Sequence, residues 1–184
     1  MANHGLPPCE HCQGPDARTH FNGAWLCDAC VNDEVVARTG WEALPPPPAP
    51  EDIASAGGSA CRMRYRLWWA PSGVVVGEAE EADRPPGEGF AFQVTGRSGE
   101  SAGQVVDRLQ EKVRREVGRA YLEPDGGRWG IAGDEVAGRV SWREHDPDLP
   151  TLVIDGQPVS WEELGRMLLS FEGWEFRLVL SDGD

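Results

Sequence analysis

The sequence predicts an α+β protein: a small four-cysteine module followed by a larger domain with a mainly antiparallel sheet and helices on one face. Three observations lead there. Two Cys-x-x-Cys pairs, Cys9/Cys12 and Cys27/Cys30, stand fourteen residues apart. A proline- and glycine-rich stretch separates them from the rest of the chain. Beyond it, short alternating apolar runs and two segments of helical period follow one another in the order β-β-β-α-β-β-α-β.

A Cys-x-x-Cys turn aims both sulfurs at one point. Two such turns supply four thiolates, a closed set for zinc, with Cys9, Cys12, Cys27 and Cys30 as the expected ligands of one structural ion. Between the pairs, Asn22-Gly23 supplies the positive φ values of a two-residue hairpin turn, flanked by Thr19-His20-Phe21 and Ala24-Trp25-Leu26. From Asp28, Val31, Val35 and Val36 recur at helical spacing, and Gly40 can end the helix. Knuckle, hairpin and a helix carrying the second pair resemble a treble-clef zinc finger over Pro8 to about Trp41. That resemblance implies a fold and four ligands, and no activity.

Other readings of the cysteines stay open at this level. Iron suits four sulfurs as well as zinc does. A disulfide pair would suit a secreted chain, and a redox pair would need one Cys-x-x-Cys within an α/β domain. His11 and His20 could each replace a sulfur, although four are already present. Cys61 is the odd cysteine, at the start of a strand, and reads as a buried thiol. So small a segment buries little apolar area, so the metal is expected to supply its folding energy.

Residues 42–59 read as a linker. Pro45-Pro46-Pro47-Pro48-Ala49-Pro50 is a stiff polyproline spacer and Gly57-Gly58-Ser59 a flexible one, implying units that move partly independently. From residue 60 to 184 a second domain is expected. Met63, Tyr65, Leu67 and Trp69 alternate with Arg62, Arg64 and Arg66 as a strand with one buried face. Pro71-Ser72-Gly73 turns into Val74-Val75-Val76. Setting Trp69 against Val75 pairs Arg66 with Glu78 and Arg64 with Glu80, with Tyr65 over Ala79 and Leu67 over Gly77. Arg84-Pro85-Pro86-Gly87 breaks the chain before a third strand carrying Phe90, Phe92 and Val94.

Ser101 to Tyr121 reads as the main helix, with Val106, Leu109, Val113, Val117 and Ala120 as its apolar stripe. Glu123 to Gly127 is a turn. Val136, Gly138, Val140 and Trp142 alternate as a strand, broken at Asp146-Pro147. Leu152-Val153-Ile154 is a wholly apolar strand, expected at a central position, and Asp155-Gly156 turns. Ser160 with Glu163 forms a capping box. The helix it opens has Trp161, Leu164, Leu168 and Phe171 as its expected seam, with Gly165 allowing close approach to the sheet. Trp174, Phe176, Leu178 and Leu180 alternate as a last strand, and Ser181 to Asp184 is an acidic end. The run Val159 to Arg166, continued by Phe171 to Trp174, is similar to segments of uncharacterised bacterial domains, which implies no activity.

The 184 residues carry a formal charge of −14, divided as −3 over residues 1–41, −3 over 42–59 and −8 over 60–184. No region is a basic patch, which disfavours non-specific nucleic-acid binding. Arginine supplies sixteen of the seventeen basic residues, a usage expected of a GC-rich bacterial genome. Met1-Ala2-Asn3-His4-Gly5 has neither the basic nor the apolar part of an export signal, and no apolar run approaches a bilayer span. A cytoplasmic protein is expected.

Two features of the second domain are candidate partner contacts. Arg108, Lys112, Arg115 and Arg119 share one helix face. They offer a groove for phosphate or an acidic partner, or simply a solvated face with i,i+4 pairs to glutamates. Trp68 shares a strand face with Arg64 and Arg66. Left exposed, it would anchor a protein partner or stack a base; covered by a helix or the linker, it would be structural. Signatures of catalysis are thin. The glycines at 126, 127, 130 and 133 are followed by no Gly-Lys-Ser/Thr, His145-Asp146 sits in a turn, and Glu162-Glu163 suits a helix first turn. The leading expectation is a zinc-stabilised adaptor with a protein partner. A nucleic-acid-associated protein using the basic helix stripe is the alternative, and an enzyme with an unrecognised site the third.

Overall fold

The computed structural model describes residues 6–85, 87–143 and 146–181, and their side chains except those of 142, 143 and 146–148. The readings placed on Met1 to Gly5, on His145, on the Trp142 side chain and on the final Asp182 to Asp184 lie outside the described residues. Within them the architecture is α+β, with three α-helices and eleven strands. No described helix is long and apolar enough to cross a membrane.

The chain opens with the first cysteine knuckle, then strands β1 (Thr19–Phe21) and β2 (Ala24–Leu26). They pair antiparallel, Phe21 opposite Ala24, around Asn22 (φ 52°) and Gly23 (φ 88°), the turn that Asn-Gly demands. Helix α1 spans Asp28–Thr39 and ends where Gly40, at φ 71°, returns its N–H to the Val36 carbonyl.

The larger sheet has four antiparallel strands in sequence order: β3 (Glu51–Ala54), β4 (Ala60–Trp69), β5 (Val75–Glu81) and β6 (Ala91–Thr95). The β4–β5 register is the expected one: Trp69 opposite Val75, Leu67 opposite Gly77, Arg66 opposite Glu78, Arg64 opposite Glu80. Strand β3 corrects the linker reading. The segment between the two units supplies the edge strand of the sheet, because Glu51, Asp52 and Ile53 pair with Met63, Arg62 and Cys61.

Helix α2 (Ala102–Val117) covers one face of this sheet. Its N-cap Ser101 and Gln104 bond reciprocally as a capping box. Val105, Leu109, Val113 and Val117 are its fully buried positions, packed on Met63, Tyr65, Leu67, Val75, Ala79 and Val94. Val105, one residue before the expected Val106, heads the stripe, and Ala120 is exposed beyond the helix end. Gly77 faces α2 so closely that a Cβ there would stand 3.2 Å from Leu109 Cδ2, so the helix seats itself where the strand has no side chain. Because Leu109 is 1% exposed at the centre of this contact, Leu109→Ala is expected to lower unfolding stability by about 3 kcal/mol, read as a reduced denaturation midpoint at unchanged slope.

The rest of the chain forms a second, smaller core. β7 (Leu122–Asp125) and β8 (Arg128–Ile131) make a hairpin around Gly126-Gly127, in the stretch expected to be a simple turn. A three-stranded sheet follows, with β10 (Asp146–Ile154) between β9 (Arg139–Arg143) and β11 (Gln157–Val159). The apolar Leu152-Val153-Ile154 run is therefore central, as expected, whereas Asp146-Pro147 begins the strand rather than breaking the chain. Asp155 Oδ2, in the β10–β11 turn, accepts from the Tyr121 and Leu122 N–H groups at 2.8 and 2.7 Å and ties the two sheets together.

Helix α3 (Trp161–Leu168) begins at Ser160 with the predicted Ser160–Glu163 capping box. Its seam differs from the expected one. Met167 is the buried residue, packed with Tyr121, Leu122, Ile154 and Val159, while Trp161 and Leu168 are exposed. Gly165 meets no neighbour, so it serves no close approach. The expected last strand does not form. After Gly173 the residues 174–180 belong to no sheet, and Trp174, Phe176, Leu178 and Leu180 are exposed.

Candidate metal centre and its seat on the sheet

Cys9 and Cys12 lie on a tight knuckle closed by Cys9 N–H to Gly14 O (2.8 Å) and Gln13 N–H to Cys9 O (2.8 Å). Gln13 takes φ 60° to complete the bend, and the Gly14 N–H points at Cys12 Sγ at 3.4 Å. The Glu10 N–H donates to Trp25 O, fastening the knuckle to the hairpin. Cys27 is the N-cap of α1 and Cys30 lies in its first turn, so the helix start presents the second pair.

The four sulfurs all lie within 4.8 Å of one another, and Cys12 Sγ stands 3.7 Å from Cys27 Sγ. A tetrahedron with metal–sulfur bonds of about 2.3 Å has edges of about 3.8 Å. The spacing therefore fits a shared ion, and is far longer than a disulfide bond. These four cysteines could hold a metal ion; His11 and His20 stay outside the cluster, His20 against the Trp25 ring. Backbone N–H groups of Cys12 and Cys27 bring the Cys9 thiol down to about 6, toward the thiolate a metal needs. Burial, with the other three sulfurs beside it, drives Cys30 up, and burial raises Cys27. Without a cation, four thiolates at this spacing cannot all ionise together. The apolar core of the module is Cys9, Ala17, Leu26 and Cys30, two of which lean on their own sulfurs.

This module is seated on the face of the large sheet opposite α2. Arg66 donates a two-pronged bond to Asp28, Nε to Oδ2 at 2.6 Å and Nη2 to Oδ1 at 2.7 Å, and its Nη1 reaches Glu78 Oε2 at 2.9 Å. Arg64 and Arg18 both donate to Glu80 Oε1 at 2.7 Å. Asn32 Nδ2 donates to the Leu67 carbonyl at 2.8 Å. Trp41 lies against Trp69 with ring centroids 5.0 Å apart, and Trp69 Nε1 donates to Glu42 O. Asp28 stands directly after Cys27, so the sheet holds the same helix turn that carries the second pair of sulfurs. The partner that Arg64 and Arg66 meet is thus the chain's own N-terminal module. Trp68, half-buried on the same face, carries the Arg66 guanidinium over its ring at 5.3 Å. The cross-strand pairs with Glu78 and Glu80 were legible in the register; Asp28, Arg18 and Asn32 were not, because nothing local in a sequence marks a contact made across 38 residues.

The basic stripe of α2 is engaged too. Arg108 forks onto Glu100 at 2.7 and 2.8 Å and reaches the Thr95 carbonyl, and Lys112 reaches the Gln93 carbonyl. Arg115 pairs with Glu116, whereas Arg119 lies beyond the helix end, off the expected stripe, and donates to Tyr121 Oη. Cys61 is buried in the main core, where burial raises its thiol.

An open groove of about 690 Å³ lies between β8 and α3. Its carboxylate Glu163 is held below the usual range by the Ser160 N–H and hydroxyl, the opposite of what a general acid needs. The described residues lining it include no histidine or cysteine to activate or replace Ser170.

Residues 45–118 match the model of a domain of unknown function, DUF7686, and residues 119–184 that of another, DUF7713. The junction falls at the end of α2, and the four cysteines lie outside both. No curated protein and no solved structure matches the chain.

Glu80 gives the seat a pH dependence. Burial pushes its carboxyl up, but Arg64 and Arg18 outweigh it and the net shift is below 4.5. A depressed folded-state value means stability that is complete above 4.5 and lost as pH falls through the folded value. Glu80→Gln is expected to flatten that acid limb, measured as melting temperature against pH.

Proposed function

We propose that the chain is a cytoplasmic, zinc-stabilised protein-interaction protein whose N-terminal module is a treble-clef-type finger. The observation that carries the metal reading is the convergence of four sulfurs at tetrahedral spacing, a closed set with no open position for a substrate or water. Zinc in such a site supplies folding energy by holding thiolates that would otherwise repel. Here the folded module also covers a polar sheet face through Asp28, Arg18 and Asn32. The charge of −14, together with basic side chains already turned to carboxylates and carbonyls of the same chain, favours a protein partner over nucleic acid.

Metal analysis of the full-length protein, paired with affinity purification from its native host, tests this. The expected result is about one zinc per chain and a co-purifying protein. Retention on DNA or RNA that weakens steeply with salt would overturn the interaction reading. A protein folded at residues 8–40 without metal would overturn the zinc reading.

A further inference from the structure

Helix α1 has little of its own to hold it. Of its twelve described residues Cys30 alone is buried, and its N-cap, Cys27, supplies no side-chain hydrogen bond. A helix of this length is marginal without tertiary contacts. Yet it carries two of the four sulfurs, so its first turn must keep its shape for the cluster to close. The contacts that hold it come from the sheet. Asp28, next to Cys27, lies in the two-pronged grip of Arg66. One turn on, Asn32 is bonded to the Leu67 carbonyl. Just past the Gly40 C-cap, Trp41 rests on Trp69, and a Cβ on Gly73 would come within 3.2 Å of its ring. The start of the hairpin is held in the same way, by Arg18 on Glu80. The four side chains of the Arg66–Asp28 and Arg18–Glu80 pairs are between 19% and 28% exposed, so both pairs are better shielded from water than surface ion pairs.

We propose that the sheet is a working part of the metal site: Arg66, acting through Asp28, and Glu80, acting through Arg18, are positioning residues that raise the affinity of the four cysteines for zinc. This rests on the zinc reading above and gives that site a regulator. Both residues lie on the sheet, outside the four-cysteine cluster. The coupling follows from when their contacts exist. Only the folded module makes them, and the module folds as the metal binds, so the free energy of docking adds to that of binding. Linkage makes the effect reciprocal: zinc strengthens docking by the factor by which docking strengthens zinc binding. Loss of the metal then uncovers the sheet face that carries Arg64, Arg66 and Trp68, so that occupancy of the cluster is read out on the sheet.

A field acting through space makes a different prediction. Four thiolates around one divalent cation leave a net negative charge, which a nearby guanidinium favours and a nearby carboxylate opposes. Removing Arg66 weakens binding on either account. Removing Glu80 strengthens it if the field alone acts, and weakens it if docking acts, because Arg18 loses its seat.

The test is the zinc affinity of the full-length protein, measured by competition with a chromogenic chelator of known affinity. Arg66→Ala and Glu80→Ala should each raise the zinc dissociation constant at least about tenfold. A structural site remains loaded at micromolar protein after such a loss. Leu109→Ala, which weakens the core on the other side of the sheet, should leave the constant unchanged, which separates docking from general instability. In the reciprocal measurement, stripping the metal should abolish most of the difference in denaturation midpoint between Arg66→Ala and the unsubstituted protein. Equal affinities in all four proteins, tighter binding by Glu80→Ala, or a loss shared equally by Leu109→Ala overturns the proposal. In each of those cases about one zinc per chain leaves the metal reading intact, whereas an unsubstituted protein that binds none overturns both.

Discussion

Cys30→Ser protein is expected to be isolated without its metal, with residues 8–40 exchanging amide hydrogens at nearly the rate of an unstructured peptide. The module offers little else to hold it: its buried cluster is Cys9, Cys30, Ala17 and Leu26. Structural zinc supplies about 10–16 kcal/mol to finger-sized units, far more than that cluster can replace. Hydrogen-exchange mass spectrometry should show the loss confined at first to the hairpin and α1, while amides of α2, β4 and β5 remain protected by the separate core beneath them. A chelator added to the native protein should reproduce the pattern. Retained protection across β1, β2 and α1 in metal-free protein would exclude the ion as the organiser of this region.

Arg66→Ala should produce the second largest loss, about 3 kcal/mol, while leaving the metal content unchanged. The substitution deprives Asp28 and Glu78 of the cation that separates them at a position where all three side chains are largely covered. Removing one member of a buried pair costs more than the pair contributes net, because the remaining charges stay desolvated. Arg66→Lys should recover little, since an ammonium cannot reproduce the fork on Asp28 together with the third bond to Glu78. Denaturation midpoints of Arg66→Ala, Asp28→Ala and the double variant form a cycle. A coupling above about 1 kcal/mol is expected, and strictly additive losses would mean that the contact holds nothing.

How far the sequence revealed these features follows from the range of each interaction. Asn22-Gly23, the Ser160–Glu163 cap and the two cysteine pairs are local devices, and each formed where its residues stood. The β4–β5 register was also legible, since one pairing of large with small and acidic with basic satisfied both faces at once. Strand β3 was hidden by composition: Glu51-Asp52-Ile53-Ala54 follows a proline run and has one strongly apolar residue, and its strand character comes from the free edge of β4. In α3, Met167 and Leu168 flank Leu164 within one apolar stripe, so periodicity could not single out Met167 over Leu168. The alternation of 174–180 predicted a last strand that does not form, because alternation records a preference and does not supply a neighbour. The seat of the N-terminal module on Arg66 and Glu80 was the least legible part. Arginines beside glutamates on adjacent strands already satisfied one another, and nothing in them announced a third element.

Strand β3 has a practical consequence for anyone wishing to study the second unit alone. A protein trimmed to begin at residue 60 would keep every residue of β4 yet strip away the four pairings that close its outer edge. The backbone edge of residues 60–63, at the start of β4, would then be open to edge-to-edge aggregation. Trimming at about residue 45 would keep that shield.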